Sequence, residues 1–176
     1  MMQRSFFSSA FLLLCLPGLA VTGKAQMVGQ PGCAAQNDPP KITTTSNKPD
    51  FKPVPGKALL VVLQNDDLYN PRPRPTNLIG LDGALVGATH GRSYFVVEAE
   101  PGVHHLCTSW LNTSSDDLLA AALQVELESG GVYYVQIVDM QYKLIDSPST
   151  GLQLLDPDQG ELMRRAYDLA VMKPAK

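Results

Sequence analysis

Between Asn77 and Trp110 the chain meets three turn signals, Asp82-Gly83, His90-Gly91 and Pro101-Gly102, each placed between short apolar or β-branched runs. Glycine tolerates the positive φ of a tight turn, and an Asp-Gly pair between apolar runs is a strong hairpin signal. The spacing predicts four strands, over 76–81, 84–89, 93–99 and 103–110, joined as a β-meander. On the last of these, alternation puts His104, Leu106, Thr108 and Trp110 on one face and Val103, His105, Cys107 and Ser109 on the other. Leu106 and Trp110 mark the core side, with Trp110 as its largest contributor.

The flanking segments extend the same pattern. Residues 58–63, ALLVVL, are apolar on both faces, as a central sandwich strand requires. Prolines 71, 73 and 75 lack the backbone N–H a sheet ladder needs, so 65–75 is a loop. Leu123, Val125 and Leu127 alternate with polar residues, and Gly130-Gly131 follows, which predicts a second hairpin into a strand over 132–138. Residues 144–145 and 152–155 add a last pair. Leu162, Ala166 and Leu169 recur at helical spacing after Asp158, a suitable N-cap with Glu161 three residues on, so a short helix closes the chain. The fold class expected is mainly β, an antiparallel β-sandwich with a short C-terminal helix.

Three regions follow from composition. Residues 1–25 carry Arg4 and Lys24 as their only charges around an apolar run followed by Pro17-Gly18, and read as a signal peptide with small-x-small sites, Gly18-x-Ala20 and Gly23-x-Ala25, that place cleavage after Ala20 or Ala25. Pro-Gly within so short a run argues against a retained span, so no stable membrane span is expected after cleavage. Residues 26–55 form an extended polar arm rich in proline, with one short edge strand over 42–45. Residues 56–172 form the β-sandwich domain. The formal net charge of −3 gives no long-range attraction to nucleic acid, and the isolated basic residues Arg72 and Arg74 lack interleaved aromatics. An exported location follows, in the periplasm or at the cell surface. Cys33 and Cys107 then remain, and in an oxidising compartment the simplest expectation is one disulfide between them, against the alternative of two unpaired thiols with Cys107 as a small hydrophobe.

Candidate chemistry is sparse. His104 and His105 are adjacent on a strand, point to opposite faces and do not converge on one ion; His90 with one of them would make only a weak exposed site. Asp66-Asp67 and Asp116-Asp117 lack the ligand spacing of a calcium loop. Glu98 and Glu100 flank a turn, and Cys107 with His105 has no orienting acid in sequence. No catalytic residue, metal site or cofactor is predicted.

Residues 55–62, PGKALLVV, with 80–88, GLDGALVGA, 93–95, SYF, and 101–107, PGVHHLC, resemble the DUF2846 family of bacterial exported proteins. More loosely they resemble PEGA modules, whose hallmark is a V-D-G-x-x-V-G hairpin followed by P-G-x-H. The resemblance covers roughly residues 56–138, together with the arm carrying Cys33. It implies an immunoglobulin-like sandwich without assigned catalysis, in which Asp82 and Gly83 make the hairpin turn, Gly87 allows a close crossing, and Pro101-Gly102 with His104 builds the next corner. The proline-rich 65–75 loop departs from the family pattern. The function expected is a non-catalytic structural or protein-interaction module of the cell envelope, with exposed tyrosines such as Tyr69, Tyr133 or Tyr142 as possible anchors for a protein partner. The rival is a periplasmic small-molecule, carbohydrate or metal-binding module.

Overall fold

The computed structural model describes residues 40–65, 76–111, 120–141 and 148–173. The all-apolar stretch of the sequence becomes strand β2 (Ala58–Gln64), and every one of its residues is buried. A strand dry on both faces needs a ladder partner on each edge and a packed layer on each side. It has all four. β5 (Ser93–Ala99) pairs with it antiparallel and β8 (Val132–Gln141) parallel. Ala58, Leu60 and Val62 pack toward a second sheet, while Leu59, Val61 and Leu63 join the aromatic cluster of Tyr94, Tyr134 and Tyr167 on the other side. Met163 of helix α1 (Pro157–Ala166) packs on that cluster.

The larger sheet has six strands, adding β1 (Lys41–Thr45), β9 (Pro148–Leu154) and β10 (Asp168–Lys173), in the order β1-β10-β5-β2-β8-β9. The smaller contains β3 (Thr76–Leu81), β4 (Ala84–His90), β6 (Gly102–Trp110) and β7 (Ala120–Leu127), in the order β4-β3-β6-β7. Mainly β, with two facing sheets and one short helix, the architecture is the sandwich expected from the residues.

The connections differ from the expectation in instructive ways. The sheets are not wholly antiparallel: β2 with β8 and β10 with β5 run parallel. The meander is interrupted after β4. Gly91 at φ 65° and the bend beyond it carry β5 into the large sheet, where its apolar Tyr94, Phe95, Val96 and Val97 lie beside β2, and β6 then returns to pair with β3. Gly130-Gly131 likewise moves the chain between sheets, so β7 pairs with β6 and β8 with β2 and β9 in place of a β7–β8 hairpin. In both places the apolar strand is taken by β2, which offers more dry surface than a neighbouring half-wet strand.

The helix begins at Pro157, one residue after its true N-cap: the Asp156 carboxylate accepts from the Asp158 and Gln159 N–H groups. It stops at Ala166, and Leu169, which shares helical spacing with Leu162 and Ala166, belongs instead to strand β10, which pairs with β1. The edge strand foreseen within the arm is therefore β1, built into the large sheet. Trp110 is only half-buried, and Tyr94 is the largest fully buried side chain among the described residues.

Gly87 faces the Phe95 ring across the sandwich, where an added Cβ would lie 2.3 Å from Cε1. Gly87→Ala is expected to destabilise the fold by about 1–3 kcal/mol through overpacking. Combining it with Phe95→Leu should recover part of that loss, measurable as non-additivity in urea unfolding.

Candidate functional site

Two turns far apart in sequence meet at one end of the sandwich. Asp82 takes φ 50° and Gly83 φ 82°, the left-handed pair that a two-residue hairpin between β3 and β4 demands. On β6, just past Pro101-Gly102, His104 places Nδ1 2.6 Å from Asp82 Oδ2. Its Nε2 lies 2.7 Å from the Glu100 carbonyl oxygen. Asp82 Oδ1 accepts from the His105 N–H at 2.9 Å, and the Asp82 N–H donates to the His105 carbonyl. The Glu100 carboxylate is paired with Lys57, which precedes β2. The corner thus unites Asp82, Gly83, Pro101 and Gly102 with His104, Glu100 and Lys57.

Charge is balanced within it. Burial opposes ionisation of Asp82, but the His105 N–H and the His104 ring outweigh it and hold the carboxyl below its usual range. The Asp82 carboxylate raises His104, against burial and with help from the Glu100 carbonyl. An Asp–His pair invites a hydrolytic reading, yet both ring nitrogens already face oxygen acceptors. His104 in this arrangement has no free lone pair with which to take a proton from a nucleophile.

The other expected residues are dispersed. His90 sits at the opposite end, with Nδ1 2.8 Å from Thr76 Oγ1, and His105 is exposed on the far face of β6. No group of three His, Cys, Asp or Glu side chains suited to a metal ion occurs among the described residues. Tyr133 is half-buried against the core, its hydroxyl accepting from the Glu128 N–H. Cys107 is buried on the outer face of the small sheet, opposite Gly80 and Ala122. Cys33, Asp66-Asp67, Tyr69, Asp116-Asp117, Tyr142 and the pair at 144–145 lie outside the described residues, as does the predicted signal segment. Among the described residues no helix is long and apolar enough to cross a membrane.

Two clusters were not foreseen. Beneath α1, Glu161 accepts from Arg164 Nε (2.7 Å), Arg164 Nη2 (2.8 Å), Arg165 Nε (2.8 Å) and the Tyr134 hydroxyl (2.9 Å). The Arg164 guanidinium holds Glu161 down at about 2, with burial opposing, while burial and the Glu161 carboxylate push Tyr134 up to about 12. Spacings of three and four residues on a helix make the Glu-Arg pairs readable in sequence. The tyrosine is not, since only tertiary packing brings it there. At the end opposite the Asp82 corner, Gln64, Asn77, Thr89 and Ser93 are fully buried. Asn77 and Thr89 are cross-strand partners, and Trp110 is the partner of Asn77 on its other side. Neither amide atom of Asn77, nor Thr89 Oγ1, has a hydrogen-bond partner among the described residues. No sequence signal marks this layer, because it exists only once the register is known.

Comparison of the chain with models of known families, with curated proteins and with solved structures gave no match.

Glu161→Ala is expected to destabilise the protein by about 2 kcal/mol at pH 7, because it leaves the half-buried Arg164 unpaired. Glu161 is depressed from 4.5 to about 2, so its contribution is fully present above pH 4.5 and is lost as pH falls through 2. Urea unfolding of both proteins between pH 7 and 2 should show the difference shrinking over that interval.

Proposed function

We propose that this protein is a non-catalytic, exported structural or protein-interaction module of the cell envelope, and that β1 is the surface it offers to a protein partner. The observation that carries this reading is the state of the sheet edges. β4 packs near β1 and β10, and β7 packs against β9, so the edge strands of the two sheets lie close along both flanks, with their outer ladder positions left unpaired among the described residues. Among the described residues β1 is paired on one side only, to β10, and its Lys41 and Thr44 are exposed. An edge of this kind accepts a further strand through main-chain hydrogen bonds. The occupied nitrogens of His104 support the non-catalytic half of the proposal.

Export rests on the N-terminal apolar run and its small-residue sites. A Cys33–Cys107 disulfide is part of the same proposal. It is supported by the burial of Cys107 on the outer sheet face that it shares with the fully buried Leu78 and Ala88. Kinship with the DUF2846 family, and the immunoglobulin-like assignment it brings, is supported by the joint corner of Asp82, Gly83, Pro101, Gly102 and His104. A second reading, a small-molecule-binding module, is favoured by the Asn77 and Thr89 polar atoms beside Trp110, which have no partner among the described residues. Their lack of formal charge suits a neutral hydroxyl- or amide-bearing ligand.

Photo-crosslinking residues introduced at Lys41 or Thr44 of the full chain in its native envelope should give one shared adduct that is absent when the crosslinker replaces the exposed Leu162 on α1. Adducts of equal yield at all three positions, or none at the β1 positions, would remove β1 as the surface. Peptide mapping without reduction is expected to recover a linked 33–107 pair, and two free thiols would overturn it.

A further inference from the structure

The two acceptors of His104 differ in kind. A carbonyl oxygen accepts and never donates, so the Glu100 contact at 2.7 Å requires a proton on Nε2. An ionised carboxylate also only accepts, so the Asp82 contact at 2.6 Å requires a proton on Nδ1. Only the imidazolium satisfies both. The neutral ring leaves a lone pair facing an oxygen at one of the two contacts, in a side chain that is 13% exposed.

We propose that His104 is a proton-operated clasp, closed as the imidazolium, that ties the β3–β4 turn to the β5–β6 connection and releases them from each other when the ring loses a proton. Two partners from different parts of the chain are held by one cation. Asp82 belongs to the hairpin tip and stands at φ 50°, a conformation uncommon for a residue with a Cβ. Its carboxylate is fixed from both sides, by the His104 ring and by the His105 N–H. Glu100 belongs to the connection and gives His104 its carbonyl, while Lys57 engages its carboxylate. Deprotonation removes the charge on one side of the Asp82 contact and turns one of the two hydrogen bonds into a repulsion.

Among the described residues no second cation is in contact with the ring. Asp82 faces it from the β3–β4 turn and Glu100 from the β5–β6 connection, with Lys57, ahead of β2, bound to the Glu100 carboxylate. From β7 the residue opposite His104 is Val125, and its neighbours Gln124 and Glu126 alternate to the other face. On β6 itself, His105 also points to that other face. The Asp82 carboxylate and the Glu100 carbonyl bias the ring toward the charged form, and burial opposes them.

The pH window is set by the two partners. His104 is raised from 6.5, so its contribution is complete below 6.5 and disappears as pH rises through its folded value. Asp82 is lowered from 3.8, so its contribution is complete above 3.8 and disappears as pH falls through its folded value. The clasp is closed between these limits and opens on the alkaline side through His104. Val103, 55% exposed on the neighbouring position of β6, lies at the same corner, so opening alters the surface presented at that end. None of this depends on export or on a partner at β1.

Nitrogen chemical shifts of the His104 ring in the full chain, followed from pH 5 to 9, test the proposal. Both ring nitrogens are expected to carry protons at pH 6.5, with a midpoint above that value. The protection factor of the His105 amide, the group bonded to Asp82 Oδ1, should fall with the same midpoint. Asp82→Asn keeps a residue suited to positive φ and is expected to move the His104 midpoint down toward 6.5. His104→Gln retains hydrogen-bonding capacity without a titrating group and should abolish the pH dependence of His105 protection over this range. A His104 midpoint at or below 6.5, or His105 protection that stays constant while His104 titrates, would overturn the clasp; either Asp82→Asn or His104→Gln behaving as the unaltered protein would do the same.

Discussion

The architecture depends on the double-sided burial of β2. Seven consecutive buried residues leave no face for water, so each flank and each face of this strand must be occupied by protein. The demand explains choices that turn signals alone leave open. β5 abandons its sequence neighbours to pair with β2, and β8 enters parallel on the other edge, reached after the small sheet has been completed. The small sheet covers Leu60 and Val62, and α1 with the tyrosines covers Leu59, Val61 and Leu63. Burying that much aliphatic surface, at about 25 cal/mol per Å², outweighs the cost of longer connections, which grows only slowly with length.

How much of this was legible divides along the same line. Local signals were sound. Residues 58–63 read as a central strand, 42–45 as an edge strand, and Asp82-Gly83 as a hairpin, because each depends on alternation or backbone conformation within a few residues. Partnership was not legible. A Gly-Gly or His-Gly turn reverses the chain whether the next strand pairs in the same sheet or crosses to the facing one, and local sequence is the same in both cases. The C-terminus shows the second kind of failure. Leu162, Ala166 and Leu169 fit a helical period, but the period continues across Tyr167, where the backbone is already extended, and only the free edge beside β1 and β5 makes residues 168–173 a strand.

The Asp82 corner was half legible, for a related reason. Sequence assigned Asp82 and Gly83 to one turn and Pro101 and Gly102 to another, each on its own conformational grounds, and His104 joined the second only through the family resemblance. What joined them was the register of β3 with β6, which places Leu81 opposite Leu106 and so brings the tip of the hairpin to the start of β6. The aspartate serves the turn through its tolerance of positive φ and serves the corner through its carboxylate. The Glu161 network beneath α1 was visible only in its helical pairs, and the Asn77–Thr89 layer not at all, since both need a long-range neighbour to become clusters.

The two ends of the sandwich are consequently unlike. At one, every polar group described at the Asp82–His104 contact has a partner, and the partners come from separate turns, so the end is held as a unit. At the other, the side-chain polar atoms of Asn77 and Thr89 lie within the core without a hydrogen-bond partner among the described residues, which is costly for a buried amide unless something else meets it. A sandwich core gains nothing from Asn77 or Thr89 that valine would not supply. The residues that are hardest to justify by packing therefore gather at the end bounded by Gln64, Thr76 and Trp110, while the Asp82–His104 contact lies at the other.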